Sequence, residues 1–437
     1  MSALDAVLLF AAIAAALWVA WSPPSIPRRL ALGIGAALVT LIAAQLALEG
    51  WLYHLAPVWL LVGLFALATA WPARGGAARW TVRAAAVASS ALAILPWLVA
   101  PAVPVLPRPS GPYAVGSRVF RWVDPSRPEL ARPGERRGVV AQLWYPTEAR
   151  GPGRRLPYID GLGRLPSSVS GLPSQLLRTS DRIDTHALAD APLSAARRWP
   201  LLLFSPGAGA PRAFYAGLLA DLASRGVVVA AVDHPYDSAV VQLADGRIAT
   251  DAHRFGKVAG DPVRAMAFMA DEQAVRAADM AFTLDQLRLE PTYAGLDFGR
   301  VIAAGHSFGG ASAIELWARD NRIAAAVNLD GTLYGDPAAG HARAGQVVVV
   351  QSDEALTRHA GRYAEGLARL SRGLRRAPEV VTIPGASHIS FTDAPAFLTW
   401  LVRLALPRLF GAHPASDVQR LAASRIAALV GVGPPSR

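Results

Sequence analysis

Gly305-His306-Ser307-Phe308-Gly309, with Gly310 after it, places one serine between two closely spaced glycines. An apolar β run at 301–304 precedes it, and a helical pattern carrying Ile314, Glu315 and Leu316 follows. G-x-S-x-G between a strand and a helix is a nucleophile elbow. The turn is so tight that side chains at 305 and 309 would collide with backbone, and the strained serine lifts its hydroxyl clear of the sheet edge. The amides that open the next helix face developing negative charge. A serine hydroxyl attacks a carbonyl only when a base takes its proton and a carboxylate orients that base.

The elbow belongs to the α/β-hydrolase fold, whose chain order is serine, acid, histidine. Asp330 ends the apolar run 324–329 and precedes Gly331, one helix and one strand beyond the serine. Asp353, after the run 347–350, is the rival acid, since strand-end acids also form turns and caps. His388 follows the run 379–383 in Pro384-Gly385-Ala386-Ser387-His388, and His413 is the only later histidine. His186, His253, His341 and His359 read as solvent-facing or hydrogen-bonded. An oxyanion needs two backbone amides. Phe308 supplies one, and the loop 204–209 supplies the other. There Pro206 has no N–H, whereas Ala208 lies between two glycines; the alternative is an ordinary Gly/Pro turn. This chemistry requires no metal and no organic cofactor. Asp233 and His234 end a strand together, but without a third ligand at matching spacing they read as packing or hydrogen-bonding residues.

The elements that must position these groups alternate. Apolar runs at 139–145, 201–204, 227–232, 301–304, 324–329, 347–350 and 379–383 are separated by helical patterns at 213–224, 262–289 and 354–376. Continuous apolar strands between helices indicate a mostly parallel sheet covered on both faces. Residues 147–200, rich in Pro, Gly, Ser and Arg, read as an irregular excursion near the site mouth. The hydrolase domain is expected over 113–437.

The first hundred residues are different material. Apolar stretches at 3–21, 30–48, 52–71 and 84–103 each approach the ~20 residues that span a bilayer as helix, so residues 1–103 read as a four-helix membrane anchor. The first carries Asp5 in place of a basic n-region, unlike a cleaved signal peptide. Arg28 and Arg29 lie in one joint and Arg74, Arg79 and Arg83 in another; Asp5 and Glu49 mark the opposite ends. The positive-inside rule then puts both arginine joints in the cytoplasm. The expectation is an integral protein of a bacterial inner membrane, with the hydrolase part outside. Prolines at 101, 104, 107, 109 and 112 make residues 104–112 a stiff linker. The apolar run 397–410 is either a surface that touches the membrane or a core helix.

The chain of 437 residues is 53% hydrophobic and carries a net charge of +11. Lys257 is the only lysine, and the arginines are spread among Ala, Gly and Pro with no basic run interleaved with aromatics. That distribution argues against nucleic acid as a partner. The absence of cysteine excludes disulfides and thiolate chemistry.

Three blocks, 200–234, 297–330 and 383–393, with Gly111 to Gly116 and Leu143-Trp144-Tyr145-Pro146, resemble the type II platelet-activating factor acetylhydrolases, the lipoprotein-associated phospholipase A2 family. The resemblance covers most of 111–437 and omits the four spans. It implies that Ser307, Asp330 and His388 form the triad and that Ala208 and Phe308 donate to the oxyanion. It also implies calcium-independent release of a short or oxidised sn-2 acyl group from a phospholipid. Pro206 stands where relatives often have histidine, and the membrane region is an addition. Polyester- and cutin-cleaving hydrolases share this machinery, which makes a general carboxylesterase or lipase the nearest alternative. An inactive hydrolase acting as a membrane-anchored binding module is the reading from another class.

Overall fold

The computed structural model describes all residues except 1, 23–26, 72–74, 152, 166–177, 253–254, 335–344, 354–359 and 432–437. It divides into two compact units, Met1–Pro104 with Phe397–Ala405, and Val105–Ala396 with Leu406–Arg437.

The first unit holds helices α1 (Ala3–Trp21), α2 (Arg28–Glu49), α3 (Ala56–Ala70) and α4 (Gly76–Val99). All four, α3 with its leading turn from Tyr53, are long and apolar enough to cross a membrane. Their described charged groups collect toward the two ends. At one, Ser2 and Asp5 cap α1 reciprocally and the Ser2 hydroxyl donates to Glu49 at 2.8 Å. At the other, Arg83 donates to the Ala20 carbonyl at 3.3 Å, with its guanidinium 5.5 Å from the rings of Trp21 and Trp80. Arg74 lies outside the described residues. The fourth helix is shifted from the expected 84–103. Alanines at 77, 78 and 84–86 favour helix through Arg79 and Arg83, whose long stems carry their charge back to the end of α1. Pro101 then biases Ala100 to extended geometry, which closes α4 at Val99.

The second unit contains β1 (Ala114–Pro128), β2 (Arg136–Thr147), β3 (Ala187–Ala189), β4 (Trp199–Ser205), α5 (Ala216–Ser224), β5 (Val228–Asp233), β6 (Val241–Gln242) and β7 (Ile248–Ala249). It continues with α6 (Pro262–Leu289), β8 (Leu296–His306), α7 (Phe308–Arg319), β9 (Ile323–Leu329), β10 (Gln346–Ser352), α8 (Ala360–Gly373) and β11 (Glu379–Ile383). Nine strands form one sheet in the order β11-β10-β9-β8-β4-β5-β2-β1-β3, and β6 pairs with β7 apart from it. From β5 to β11 the neighbours are parallel, while β2 runs antiparallel to both β1 and β5. Six carboxyl ends thus line one edge. This is the α/β-hydrolase arrangement.

Both faces of the sheet are buried, which explains the unbroken apolar strands. Leu201, Leu203, Val301 and Ala303 enter one core with Trp317 of α7; Leu202, Phe204, Ile302 and Ala304 enter the other. Each fully buried large side chain contributes about 1.5–3 kcal/mol. The stretch expected to be irregular contains β3, which extends β1 in parallel from Val115 opposite Ala187. The proline-rich segment lies along α5, where the amides of Ser110 and Gly111 donate to the Asp221 carboxylate and the Ser224 hydroxyl at 2.7 and 2.9 Å. Residues 354–359 of the expected 354–376 helix lie outside the described residues.

The run 397–410 is not one helix. Pro407 interrupts it, giving α9 (Trp400–Ala405) and α10 (Pro407–Phe410), before α11 (Ala415–Leu429). α9 belongs to the first unit, where the Thr399 amide donates to the Val99 carbonyl at 3.0 Å. Its Trp400 and Leu404 are 64% and 72% exposed, so it is no core helix.

Candidate active site

β8 ends at His306 and α7 begins at Phe308, which leaves one residue for the turn between them. Ser307 takes φ 54° and ψ −125°, a conformation that a side chain rarely adopts. Its neighbours make room. A Cβ on Gly309 would stand 2.0 Å from the Ser205 carbonyl oxygen, and one on Gly305 2.2 Å from that of Gly309. The Ser307 amide donates to the Leu329 carbonyl at 2.8 Å and ties the turn to β9.

Asp330 follows β9 directly, also at positive φ. Its carboxylate accepts from the Ser352 amide at 2.7 Å, from the Ser352 hydroxyl and from His388 Nδ1 at 2.7 Å. Burial alone would raise this carboxyl, but the hydrogen bond and charge of His388, with the Ser352 donors, outweigh it and hold Asp330 below its ordinary value. His388 opens a 3-10 turn, His388–Phe391, and its Nε2 lies 3.0 Å from Ser307 Oγ. With Nδ1–H donated to an ionised carboxylate, Nε2 presents a lone pair to the hydroxyl. The His388 side chain is 45% exposed, so solvent and a ligand can reach it. Asp353 instead braces the histidine loop: its carboxylate accepts from the Gly385 amide at 3.3 Å and its own amide donates to Ala386. His413 lies beside Gly385.

The loop after β4 lies against the serine, since a Cβ on Gly207 would be 3.4 Å from Ser307 Cβ. Pro206 has no amide hydrogen. The Gly207 amide donates to Tyr215 Oη at 2.9 Å and that of Gly209 to Asp237 at 3.4 Å. The Ala208 amide has no acceptor among the described residues. Phe308 opens α7, so its N–H has no intrahelical acceptor either. These are the two amides that the sequence offers as oxyanion donors.

Two neighbours escaped the sequence reading. Tyr215 Oη lies 2.8 Å from His306 Nδ1, and His306 Nε2 lies 2.8 Å from the His388 carbonyl. Burial and the nearby His388 push His306 down to about 3, so it is neutral, donates through Nε2 to that carbonyl and accepts at Nδ1 from the tyrosine. The glycine loop and the histidine loop are joined through these two rings. No pattern in the sequence marks Tyr215.

A second serine–histidine–aspartate chain lies below: Ser205 Oγ is 2.9 Å from His234 Nε2, and His234 Nδ1 is 2.9 Å from Asp279. All three are fully buried, so no substrate reaches them. Burial first, then the charge of Arg276, pushes His234 down to about 4. This chain fixes the end of β4. Asp233 pairs with Arg212. Among the described residues, no three His, Asp or Glu side chains are grouped so as to hold a metal. His186 Nε2 donates to the Leu106 carbonyl at 3.1 Å; His253, His341 and His359 lie outside the described residues.

The model of one protein family, platelet-activating factor acetylhydrolase, isoform II, matches residues 102–252 and 269–427. The chain belongs to that family. The platelet-activating factor acetylhydrolases are carboxylic ester hydrolases, and the match begins after the four apolar helices. A probable 1-alkyl-2-acetylglycerophosphocholine esterase of Arthroderma benhamiae is 27% identical over 325 residues, 67% of this chain and 77% of its own. The platelet-activating factor acetylhydrolase of Cavia porcellus is 25% identical over 251 residues, 52% of this chain and 56% of its own. Among solved structures, a ferulic acid esterase from Streptomyces cinnamoneus superposes with a TM-score of 0.61 at 29% identity, covering 76% of this chain and 94% of its own.

Proposed function

We propose that this chain is a membrane-anchored serine esterase that removes short or oxidised acyl groups from phospholipids, with Ser307, His388 and Asp330 as its triad. The observation that carries the reading is the unbroken line from Ser307 Oγ to His388 Nε2 at 3.0 Å and from Nδ1 to Asp330 at 2.7 Å. Ser307 Oγ bonds to the acyl carbonyl carbon while its proton passes to Nε2. The amides of Ala208 and Phe308 hold the oxyanion. Collapse breaks the ester C–O bond, and His388 returns the proton to the departing alcohol. Water then attacks the acyl-serine, giving its proton to His388, and the free acid leaves with Ser307 restored. The names of the two relatives support an acetyl ester of a glycerophospholipid as substrate. The four apolar helices support an anchor that keeps the enzyme beside lipid.

The esterase from Streptomyces favours a second substrate reading, an aromatic or general carboxylic ester. Detergent-solubilised full chain is tested with a fluorophosphonate probe and with 1-alkyl-2-acetyl- and long-chain glycerophosphocholines, p-nitrophenyl esters and methyl ferulate. The wild type takes the label and cleaves the acetyl phospholipid, whereas Ser307→Ala takes no label and loses at least about 10³-fold in kcat. Undiminished labelling of Ser307→Ala overturns the mechanism. Preference for ferulate or for long acyl chains overturns the substrate assignment alone.

A further inference from the structure

Arg276 of α6 is 1% exposed and does not take part in the proton path, yet its guanidinium touches both sides of the oxyanion site. Nη1 donates to the Pro206 carbonyl at 2.7 Å, and Nη2 reaches the Gly207 carbonyl at 3.5 Å. Nε donates to Asp237 at 2.6 Å, whose other oxygen accepts the Gly209 amide at 3.4 Å. Its carbon lies 4.7 Å from the centre of the Phe308 ring, in cation–π range. The carbonyls of Pro206 and Gly207 belong to the peptide units flanking residue 207, and the second of these contains the Ala208 amide. Drawing both carbonyls toward one cation turns the Ala208 N–H the opposite way, into the cleft. The same cation sits on the side chain of the residue that supplies the other free amide.

We propose that Arg276 is a positioning residue that sets the Ala208 and Phe308 amides as one oxyanion site. This rests on the reading of those amides given under Proposed function. The planar fork matters: one guanidinium meets two carbonyls, a carboxylate and a ring at once, which an ammonium cannot do. Amides so held need no reorganisation as charge develops, and that is what makes such donors effective.

The test uses the full chain in detergent with Arg276→Lys, Arg276→Gln and the double variant Arg276→Gln/Asp237→Asn, which removes both charges of the pair and protects folding. Fluorophosphonate labelling run to completion counts intact sites, and p-nitrophenyl acetate gives kcat per intact site and KM. Affinity for a trifluoromethyl ketone, which forms a tetrahedral adduct on the serine, reports on the oxyanion donors. The expected result is a fall in kcat per labelled site of about 10²-fold in both Gln variants, with KM within about threefold and ketone affinity falling in parallel. Arg276→Lys recovers part of the loss. A purely structural role lowers the labelled fraction and Tm but leaves kcat per site and ketone affinity near wild type, and that outcome overturns the inference. Wild-type protein that takes no label sinks the proposed site itself, and this inference with it.

Discussion

Asp330 and Asp353 end neighbouring strands, and the sequence alone ranks them without separating them. Their side chains part company in three dimensions. Asp330 receives His388 Nδ1 and two donors from Ser352, whereas Asp353 receives a backbone amide of the histidine loop. In Asp330→Asn the amide nitrogen can face the imidazole, which then turns its N–H toward Ser307. The expected loss in kcat is on the order of 10³–10⁴-fold at neutral pH, with little change in Tm. Asp353→Asn keeps an acceptor for Gly385 and retains kcat within about threefold. Steady-state kinetics on p-nitrophenyl acetate checks both, and equal losses would remove the distinction between the two acids. Tyr215 and Arg276 were illegible at this scale for a physical reason: each meets the glycine loop through its backbone, at the Gly207 amide and the Pro206 carbonyl, which leaves no pattern of residue types.

At the scale of elements, the parallel strands were legible because burial on both faces demands uninterrupted apolar residues, as in Val347 to Val350 and Val228 to Val232. β1 was not, because it lies near the sheet edge and carries Arg118 and Arg121 among its apolar residues. Three elements meet at Asp393, in the turn after the histidine loop. Its carboxyl accepts from the Gly217 amide of α5 at 3.2 Å, from Gln419 of α11 at 3.2 Å and from Tyr158 at 3.1 Å. Burial pushes this group up to about 7 despite those donors. A folded value above the unfolded ~3.9 means that the proton is held more tightly in the native state. The resulting stability is full below about pH 4, is lost as pH rises through 7, and changes little above that. The slope is at most about 1.4 kcal/mol per pH unit. Asp393→Asn mimics the neutral acid and removes this component. The Tm of the wild type relative to Asp393→Asn therefore falls between pH 4.5 and 7.5. Parallel Tm curves, followed by intrinsic fluorescence, would show that Asp393 ionises as an ordinary carboxyl.

At the scale of the whole molecule, the described charges of the four apolar helices are asymmetric. Asp5 and Glu49 meet at one end of the four-helix unit through Ser2, while Arg79 and Arg83 reach the last carbonyls of α1 at the other. The apolar spans were legible from length and composition, but the start of α4 was not, because hydropathy stops at an arginine and a helix does not. α4 runs from the basic end to the acidic one, and the chain continues from there into the hydrolase unit. If cytoplasmic joints carry the arginines, the hydrolase unit lies on the opposite side of the membrane. The absence of cysteine makes this directly measurable, because a single introduced thiol is the only one present. Gly75, at the start of α4, has open space at its Cβ position, and the Glu365 side chain on α8 is 74% exposed. In intact cells a membrane-impermeant maleimide is expected to label Glu365→Cys, and to label Gly75→Cys only after lysis. The reverse pattern would place the esterase on the cytoplasmic side. Its substrate would then come from the inner leaflet, because a tether to one face of a bilayer restricts the lipid within reach to that face.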